Sequence, residues 1–337
     1  MEILVIDVEN LGLDFGLRCA EAGHRVFLYR HLPKRKERYG EGFSQLTLVD
    51  DWRATMPKVK NGLVVLTGNF CLTHELNRYR EFGFNIFAPT PQSAKIEIDR
   101  LAGMRAAEAA GLAVPEYHLF GSLEETEAFA RKQDRGFVFK PAGDEENKAL
   151  TYVASDPADL VGWLRRQIKA GKKMKSCMLQ EKVEVLSELG ISGWMGIDGF
   201  LPDKYGLSVE HKKLMPGEIG PSTGEMLTLM QYVEEDKLAD EMLFPFEPIM
   251  RSLGHIGDFS VGAIVDTSGK AWFLEVTARC GYPAWFGQWL HIAATLPTGC
   301  SICLRAKILS RSAMMFLSLW FSHNHRIRLS TTHRIRW

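Results

Sequence analysis

The chain has few of the features that mark a membrane, secreted or disulfide-stapled protein. Its nearest approach to a long apolar run, residues 313–321, is far shorter than the roughly 20 residues a membrane-spanning helix requires. The opening MEILVIDVENLGLDFG lacks the basic start and long apolar core of a signal peptide, and carries Glu2 and Asp7 inside a strand-like run. Six cysteines scattered over 337 residues do not read as a disulfide framework. Cys300 and Cys303 form one CxxC without a second pair, too little to argue zinc or redox chemistry. The expectation is a cytoplasmic protein with no membrane partner.

Acidic residues are absent from one end. None follows Glu275, whereas Arg279, Arg305, Lys307, Arg311, Arg326, Arg328, Arg334 and Arg336 are all basic, so a net charge of zero conceals −8 over residues 1–275 and +8 over 276–337. A basic tail can bind nucleic acid, but such tails are polar and lysine-rich. This one contains SAMMFLSLWF and a duplicated HRIR at residues 325–328 and 333–336. Residues 290–337 therefore read as an atypical extension, from a shifted frame or disordered, and nucleic acid is not an expected partner. Glycine is missing where a dinucleotide site would need it. Gly12 and Gly16 do not make a GxGxxG after the first strand, which argues against a nicotinamide-dependent dehydrogenase.

With 46% apolar and 24% charged residues, the rest has the composition of a globular protein long enough for two or three domains. Residues 2–8, 25–29, 62–68 and 84–88 are β-like, with helical patterns over 11–22 and 71–82 and a polar break at 33–42. Such alternation predicts a parallel α/β sheet, ending at the stiff joint Pro89-Thr90-Pro91. A helix over 93–110 comes next, then a strand near 117–120 and a helix capped by Ser122 with Glu125 three residues on. Strands at 137–140 and 150–153 precede a helix over 156–170. Beyond Gly171 the chain is β-rich, at 177–181, 189–197, 205–211, 259–265 and 271–276, interrupted by a helix near 234–253. A small α/β domain followed by an α+β unit with a later antiparallel sheet is the expected outline.

The densest chemistry lies in EHKKLMPGEIGPSTGEM, residues 210–226, and WFLEVTAR, residues 272–279. The first is a basic cluster running into an expected loop punctuated by Gly217, Gly220, Pro221 and Gly224. The second is a strand ending in a carboxylate beside an arginine. A ligand with several phosphates needs cations and a metal-binding acid, and these segments could supply both. Lys140 closes the strand FVFK, where a compact ammonium can reach a phosphate; alone, it would read as an exposed strand-end lysine. Gln180, Glu181 and Val183 sit at a strand edge whose backbone could pair with a base, and Glu188 could accept from ribose hydroxyls. Period-two alternation puts Phe273, Glu275 and Thr277 on one face, so Glu275 and Thr277 offer adjacent oxygens to Mg²⁺. A Glu275–Arg279 ion pair is the structural alternative. Asp258 and Asp266 are weaker metal candidates, and Asp266 in DTSGK suits a plain turn. His24, His211 and His255 are isolated and read as structural or exposed.

In this order the pieces resemble the ATP-grasp superfamily, specifically its phosphoribosylamine–glycine ligase-like proteins, over roughly residues 1–289. The sharpest parts are EHKKLMPGEIGPSTGEM and FLEVTARCGYP, close to the family's LE-x-N-x-R-x-G-x-P strand end. The resemblance implies an α/β N-terminal domain over 1–90 and an α+β ATP-grasp domain over 91–289, with lobes of about 115–180 and 181–289. It implies an ATP- and Mg²⁺-dependent ligase that joins a small-molecule carboxylate to an amine through an acyl phosphate. Arg100, Lys140 and Lys148 would hold phosphates, Gln180, Glu181 and Val183 would flank adenine, and Glu188 would hold ribose. Glu275 and Thr277 would bind Mg²⁺. Lys213 and Arg279 would be catalytic, with Glu218, Gly220, Pro221, Ser222, Thr223 and Gly224 facing the acyl substrate. Alternatives are a ligase for a different amino acid or peptide, or a non-catalytic nucleotide-binding protein. The chain departs from the family in PAGDEENKALTY, a glycine-poor phosphate loop, in Thr277 where the family has Asn, and in Gly281-Tyr282-Pro283-Ala284, which lacks the acids of G-D-P-E. The third domain of the glycine ligases has no counterpart in the basic tail.

Overall fold

The structure, a computed structural model, describes residues 1–31, 39–142, 150–217 and 219–282 and the strand Met315–Ser318. The chain opens with β1 (Glu2–Asp7), α1 (Leu13–Glu21), β2 (Arg25–Arg30), β3 (Leu46–Val49), α2 (Trp52–Thr55), β4 (Leu63–Thr67), α3 (Thr73–Glu81) and β5 (Ile86–Phe87). These strands form one parallel sheet in the order β3-β2-β1-β4-β5. Its central strands are continuously apolar because both faces are covered. Ile3 and Val5 pack with Phe15 on one side, and Leu4 and Ile6 with Trp52 and Val59 on the other. The edge strand β3 is absent from the sequence reading: it is four residues long and buries only Leu46, so its apolar signal is weak.

A second group comprises α4 (Pro91–Ile98), α5 (Arg100–Ala109), β6 (Tyr117–Phe120), α6 (Leu123–Ala130), β7 (Phe137–Pro141), β8 (Tyr152–Val153), α7 (Pro157–Lys169) and β9 (Cys177–Glu181). The strands make an antiparallel sheet in the order β6-β9-β7-β8. The single helix expected over 93–110 is two. Asp99 leaves the helical region (φ −93°, ψ 104°), and its carboxylate accepts from Leu101 N at 2.9 Å and Ala102 N at 3.2 Å, capping a new helix. The break re-aims the chain between Glu97 and Arg100. Gly103 permits the tight return, since a Cβ there would lie 2.5 Å from Ile96 O.

The remainder comprises β10 (Val185–Gly196), β11 (Gly199–Met215), β12 (Ile219–Val233), α8 (Glu247–Ser252), β13 (Gly257–Asp266), β14 (Ala271–Thr277) and β15 (Met315–Ser318), whose strands make a larger antiparallel sheet in the order β14-β13-β10-β11-β12-β15. Of the basic tail, only β15 is described, paired with residues 228–231 of β12; the rest of that call lies outside the described residues. The helix expected over 234–253 breaks into a π-turn (Ala239–Leu243), a 3₁₀ turn (Phe244–Phe246) and α8. Pro245 and Pro248 cannot donate to an α-helical ladder, which explains the change of pitch. The expected loop at residues 220–224 also differs. It is the start of β12, with Ser222 opposite Lys213 and Ile219 opposite Met215. Register shifts on either side of Lys213 let the ladder admit Gly220 and Pro221.

One core, including Phe246, Phe259 and Phe273, backs the large sheet and takes in Met104 of α5 and Met178 of β9. Phe246 stacks tilted on Phe259 and Phe273 at centroid distances of 5.3 and 6.0 Å. Phe259→Ala should cost about 3–5 kcal/mol of unfolding free energy, measured by urea denaturation, while Phe259→Leu should cost clearly less.

Candidate functional site

In β7, Phe137 and Phe139 enter the core beneath the small sheet, which turns Lys140 toward the opposite side. Lys140 is only 7% exposed, and its Nζ donates to Gln180 Oε1 of β9 at 2.6 Å. An ammonium only donates, so the amide must present its oxygen there. Gln180 Nε2 is then left buried with no hydrogen-bond partner among the described residues. Arg100, at the start of α5, donates through Nη1 to Pro141 O at 2.6 Å, which fixes the guanidinium at the end of the same strand.

The other wall belongs to the large sheet. Lys212 Nζ of β11 lies 3.1 Å from Glu210 Oε2, 3.8 Å from Glu188 Oε2 and 3.8 Å from Glu275 Oε1. Gly190 and Gly262 face each other in register between these acids, and the missing side chain at Gly190 makes room for Ser208, whose Oγ would lie 2.4 Å from a Cβ there. Glu275 itself is 46% exposed at its side chain. The two walls share one field. Burial, then the Arg100 guanidinium, push the Lys140 ammonium down to about 8, against the pull of Glu275 and Glu188. Burial also lowers Arg100, with Glu275 opposing. Burial works against charge on Lys212 too, but Glu275, Glu210 and Glu188 outweigh it and hold its pKa above that of an ordinary lysine.

The alternation in β14 needs correction. A register shift between Gly262 and Ala263 leaves Leu274 as the extra, unpaired residue, a bulge in β14. Phe273 and Val276 both enter the core, while Glu275 and Thr277 face away from it. Glu275 and Thr277 still share a side, but Phe273 is not with them. Beyond the strand, Glu97 of α4 holds the chain in place. Its Oε2 accepts from Ala278 N at 2.7 Å, and its Oε1 pairs with Arg279 Nε at 3.1 Å. A small cavity of about 20 Å³ opens between this helix pair and β14, lined by Glu97, Arg100 and Glu275 among others.

Lys140, Arg100, Gln180, Glu188 and Glu275 thus come together, with Thr277 on the same side of β14. Others do not join them. The Glu181 carboxylate pairs with Arg135 at 3.1 Å and its N–H donates to Glu116 O at 2.8 Å, both toward β6; Val183 lies just past the end of β9. The lysine that meets the acids is Lys212, not Lys213, which makes no ion pair among the described residues. Thr223 Oγ1 donates to Lys212 O at 2.8 Å, so the residues 220–224 strand braces that lysine's backbone. Lys148 and Glu218 lie outside the described residues. Asp266 is a turn residue, accepting from Ser268 N, Lys270 N and Trp272 Nε1. Asp258 is buried and accepts from Gly281 N at 3.3 Å. His255 is a buried structural histidine between Ser93 Oγ and Asp258 O. Sequence reasoning missed Glu97, Glu210 and Lys212. Glu210 and Lys212 lie in the quoted basic segment, and their i, i+2 spacing in a strand was the available signal.

Among the described residues, no group of three or more His, Cys, Asp or Glu could hold a metal. Glu275 and Thr277 fit Mg²⁺ only in its common mode, with few protein ligands and the remainder from water and phosphate. No helix among the described residues is long and apolar enough to cross a membrane.

Lys140 at the end of a strand of the small antiparallel sheet thus acts on Glu275 and Glu188 of the large one, and in its mixed α/β content the chain resembles the ATP-grasp carboxylate–amine ligases. The resemblance to phosphoribosylamine–glycine ligases holds in sequence and in fold. The chain is 23% identical over 212 residues to the phosphoribosylamine–glycine ligase of Ralstonia nicotianae, covering 61% of this chain and 50% of that protein. The crystal structure of the Thermotoga maritima phosphoribosylamine–glycine ligase superposes with a TM-score of 0.60 at 17% identity, over 85% of this chain and 70% of that one. An L-amino acid ligase from Bacillus licheniformis superposes with a TM-score of 0.56 at 14% identity, over 91% and 75%. The chain spans about half the length of the curated relatives it matches. No protein-family model matches it.

The buried ammonium gives a pH prediction. Below about pH 8 folded and unfolded chains both hold the Lys140 proton; between about 8 and the ordinary 10.5 the folded chain releases it first. Stability of the wild type relative to Lys140→Met should therefore rise across that window, by up to about 3 kcal/mol, as read by urea denaturation of both proteins.

Proposed function

We propose that this protein is an ATP-dependent ligase that joins a carboxylate to an amine. The observation that carries the reading is the single charge cluster formed by Lys140 and Arg100 on one wall and Glu275, Glu188 and Lys212 on the other. In this reading residues 1–90 form the N-terminal domain and 91–289 the nucleotide-binding domain, divided near residue 180. Lys140 and Arg100 offset the charge of the nucleotide phosphates, and the unpaired Gln180 N–H donates to an acceptor on the nucleotide. Glu188 and Glu275 face the same cleft, and Glu275 with Thr277 takes Mg²⁺, which would neutralise charge on the phosphate oxygens when bound.

The chemistry divides into two displacements. An oxygen of the substrate carboxylate attacks the γ-phosphorus, the bond to the β,γ-bridging oxygen breaks, and ADP leaves. The amine nitrogen then attacks the acyl carbon, phosphate departs with the C–O bond electrons, and the nitrogen loses a proton. This chain's part is positioning and charge compensation. Arg279, held rigid by Glu97, sits where the end of β14 meets the parallel sheet and can stabilise the transferred phosphate. Lys212 serves as the resident counter-charge of Glu188, Glu210 and Glu275.

Glu275→Ala should lower Mg²⁺-dependent ADP release, assayed over panels of acids and amines, by at least about 100-fold, with an unchanged thermal transition. ADP release at the wild-type rate would remove Glu275 from the site. Mg·ADP should raise the melting temperature of the wild type and lose most of that effect in Lys140→Met.

A further inference from the structure

Open α/β sheets take ligands outside the carboxyl ends of their strands, at the point where strand order reverses. In the order β3-β2-β1-β4-β5 that point lies between β1 and β4, whose last residues are Asp7 and Thr67. The turn into α1 opens there, and free N–H groups at such a turn take a phosphate. In this protein those groups already have an anion. Asp7 is 1% exposed. Its Oδ1 accepts from Leu11 N at 3.0 Å and Thr67 Oγ1 at 2.8 Å; its Oδ2 accepts from Gly12 N at 2.8 Å and the Tyr39 hydroxyl at 2.7 Å. Tyr39 OH in turn accepts from Leu13 N at 2.8 Å. Three successive backbone donors are consumed by one carboxylate and the phenol attached to it.

The packing leaves no room for a second anion. A Cβ on Gly12 would stand 2.6 Å from Val5 Cγ1 and 3.1 Å from Asp7 Oδ2, so the turn lies directly on the strand end. Asn10, at φ +60°, makes the left-handed step that folds the chain back over Asp7. The segment beyond Arg279 closes the other side: Cys280 Sγ reaches Leu66 O at 3.7 Å, and Gly281 N donates to Asp258 Oδ2 at 3.3 Å. Burial, Asp258 and Asp7 together raise the Cys280 thiol well above its ordinary range, so two carboxylates bear on the residue next to Arg279. The end of the parallel sheet therefore carries a buried carboxylate, and the three N–H donors of its turn are already taken.

We infer that Asp7 is a specificity-determining residue that closes this crevice to phosphate, so that neither the acid nor the amine joined here carries a phosphate group at this position. The inference rests on the ligase reading for its reaction and on the Asp7 geometry for its substrate class.

The test uses the full chain and ribose 5-phosphate as a stable phosphorylated probe, with calorimetric titration of the wild type, Asp7→Ser and Asp7→Ala, both of which remove the carboxylate and shorten the side chain. The wild type should bind it no tighter than about 1 mM. A variant that retains a cooperative thermal transition should bind at least tenfold tighter, since the freed N–H groups then lack their anion. Wild-type binding well below about 1 mM, or a folded variant with no gain, overturns the inference. Thermal stabilisation of the wild type by Mg·ADP is measured alongside. Its absence would remove the ligase reading, whereas stabilisation combined with tight ribose 5-phosphate binding would remove only the role given to Asp7.

Discussion

A buried ammonium that no neighbouring carboxylate fully neutralises is the constraint around which this molecule is arranged. Lys140 has Gln180 as its hydrogen-bond partner, Arg100 as a like charge nearby, and Glu275 and Glu188 as opposite charges across the cleft. Burying such a group costs free energy unless something compensates it. Here compensation is partial, and it comes from a different sheet. A polyanion entering the cleft would complete it, which is how a preformed electropositive wall converts its own desolvation into affinity. The opposite wall shows the complementary state, with three carboxylates around Lys212.

Two devices keep the walls in register. Asp99 breaks the helix after the parallel sheet, so that Glu97 faces the end of β14 while Arg100 reaches the end of β7. Glu97 then binds both the Ala278 N–H and the Arg279 guanidinium, a two-point attachment that sets where the chain leaves the large sheet. The bulge near Leu274 does the same within β14, returning Val276 to the core while leaving Glu275 outside it. None of these residues needs to touch a ligand to decide where Glu275 and Arg279 stand.

The parallel sheet contributes differently. Similar α/β units can hold an anion at the helix turn, and this chain has filled that position with Asp7, Tyr39 and Thr67. An internal carboxylate rigidifies the turn and rejects a ligand phosphate by the same hydrogen bonds. Specificity of this kind comes from what the site repels as much as from what it attracts.

Much of this was legible in the residues alone. Continuous apolar strands alternating with helices gave the parallel sheet, and the alternation of FVFK set Lys140 apart from Phe139, because period is a local property; in FLEVT simple alternation put Glu275 with Phe273, and it is the bulge at Leu274 that separates them. The fragment EHKK was recognisable as a basic wall, yet which of its lysines meets the acids depended on Glu188 of β10 and Glu275 of β14 coming to the side of β11 that carries Glu210 and Lys212. The backbone N–H of Glu181, read as part of an open strand edge, is taken by Glu116 O from the segment before β6, and its carboxylate pairs with Arg135 from the segment before β7. Glu97 was an unremarked acid in a helix until residues 278–279, far along the chain, came to it. The sequence by itself determined the types of element and the charges they carry; only the tertiary structure decided which charges face one another, since pairing between distant strands is set by packing and bulges rather than by any pattern within a single segment.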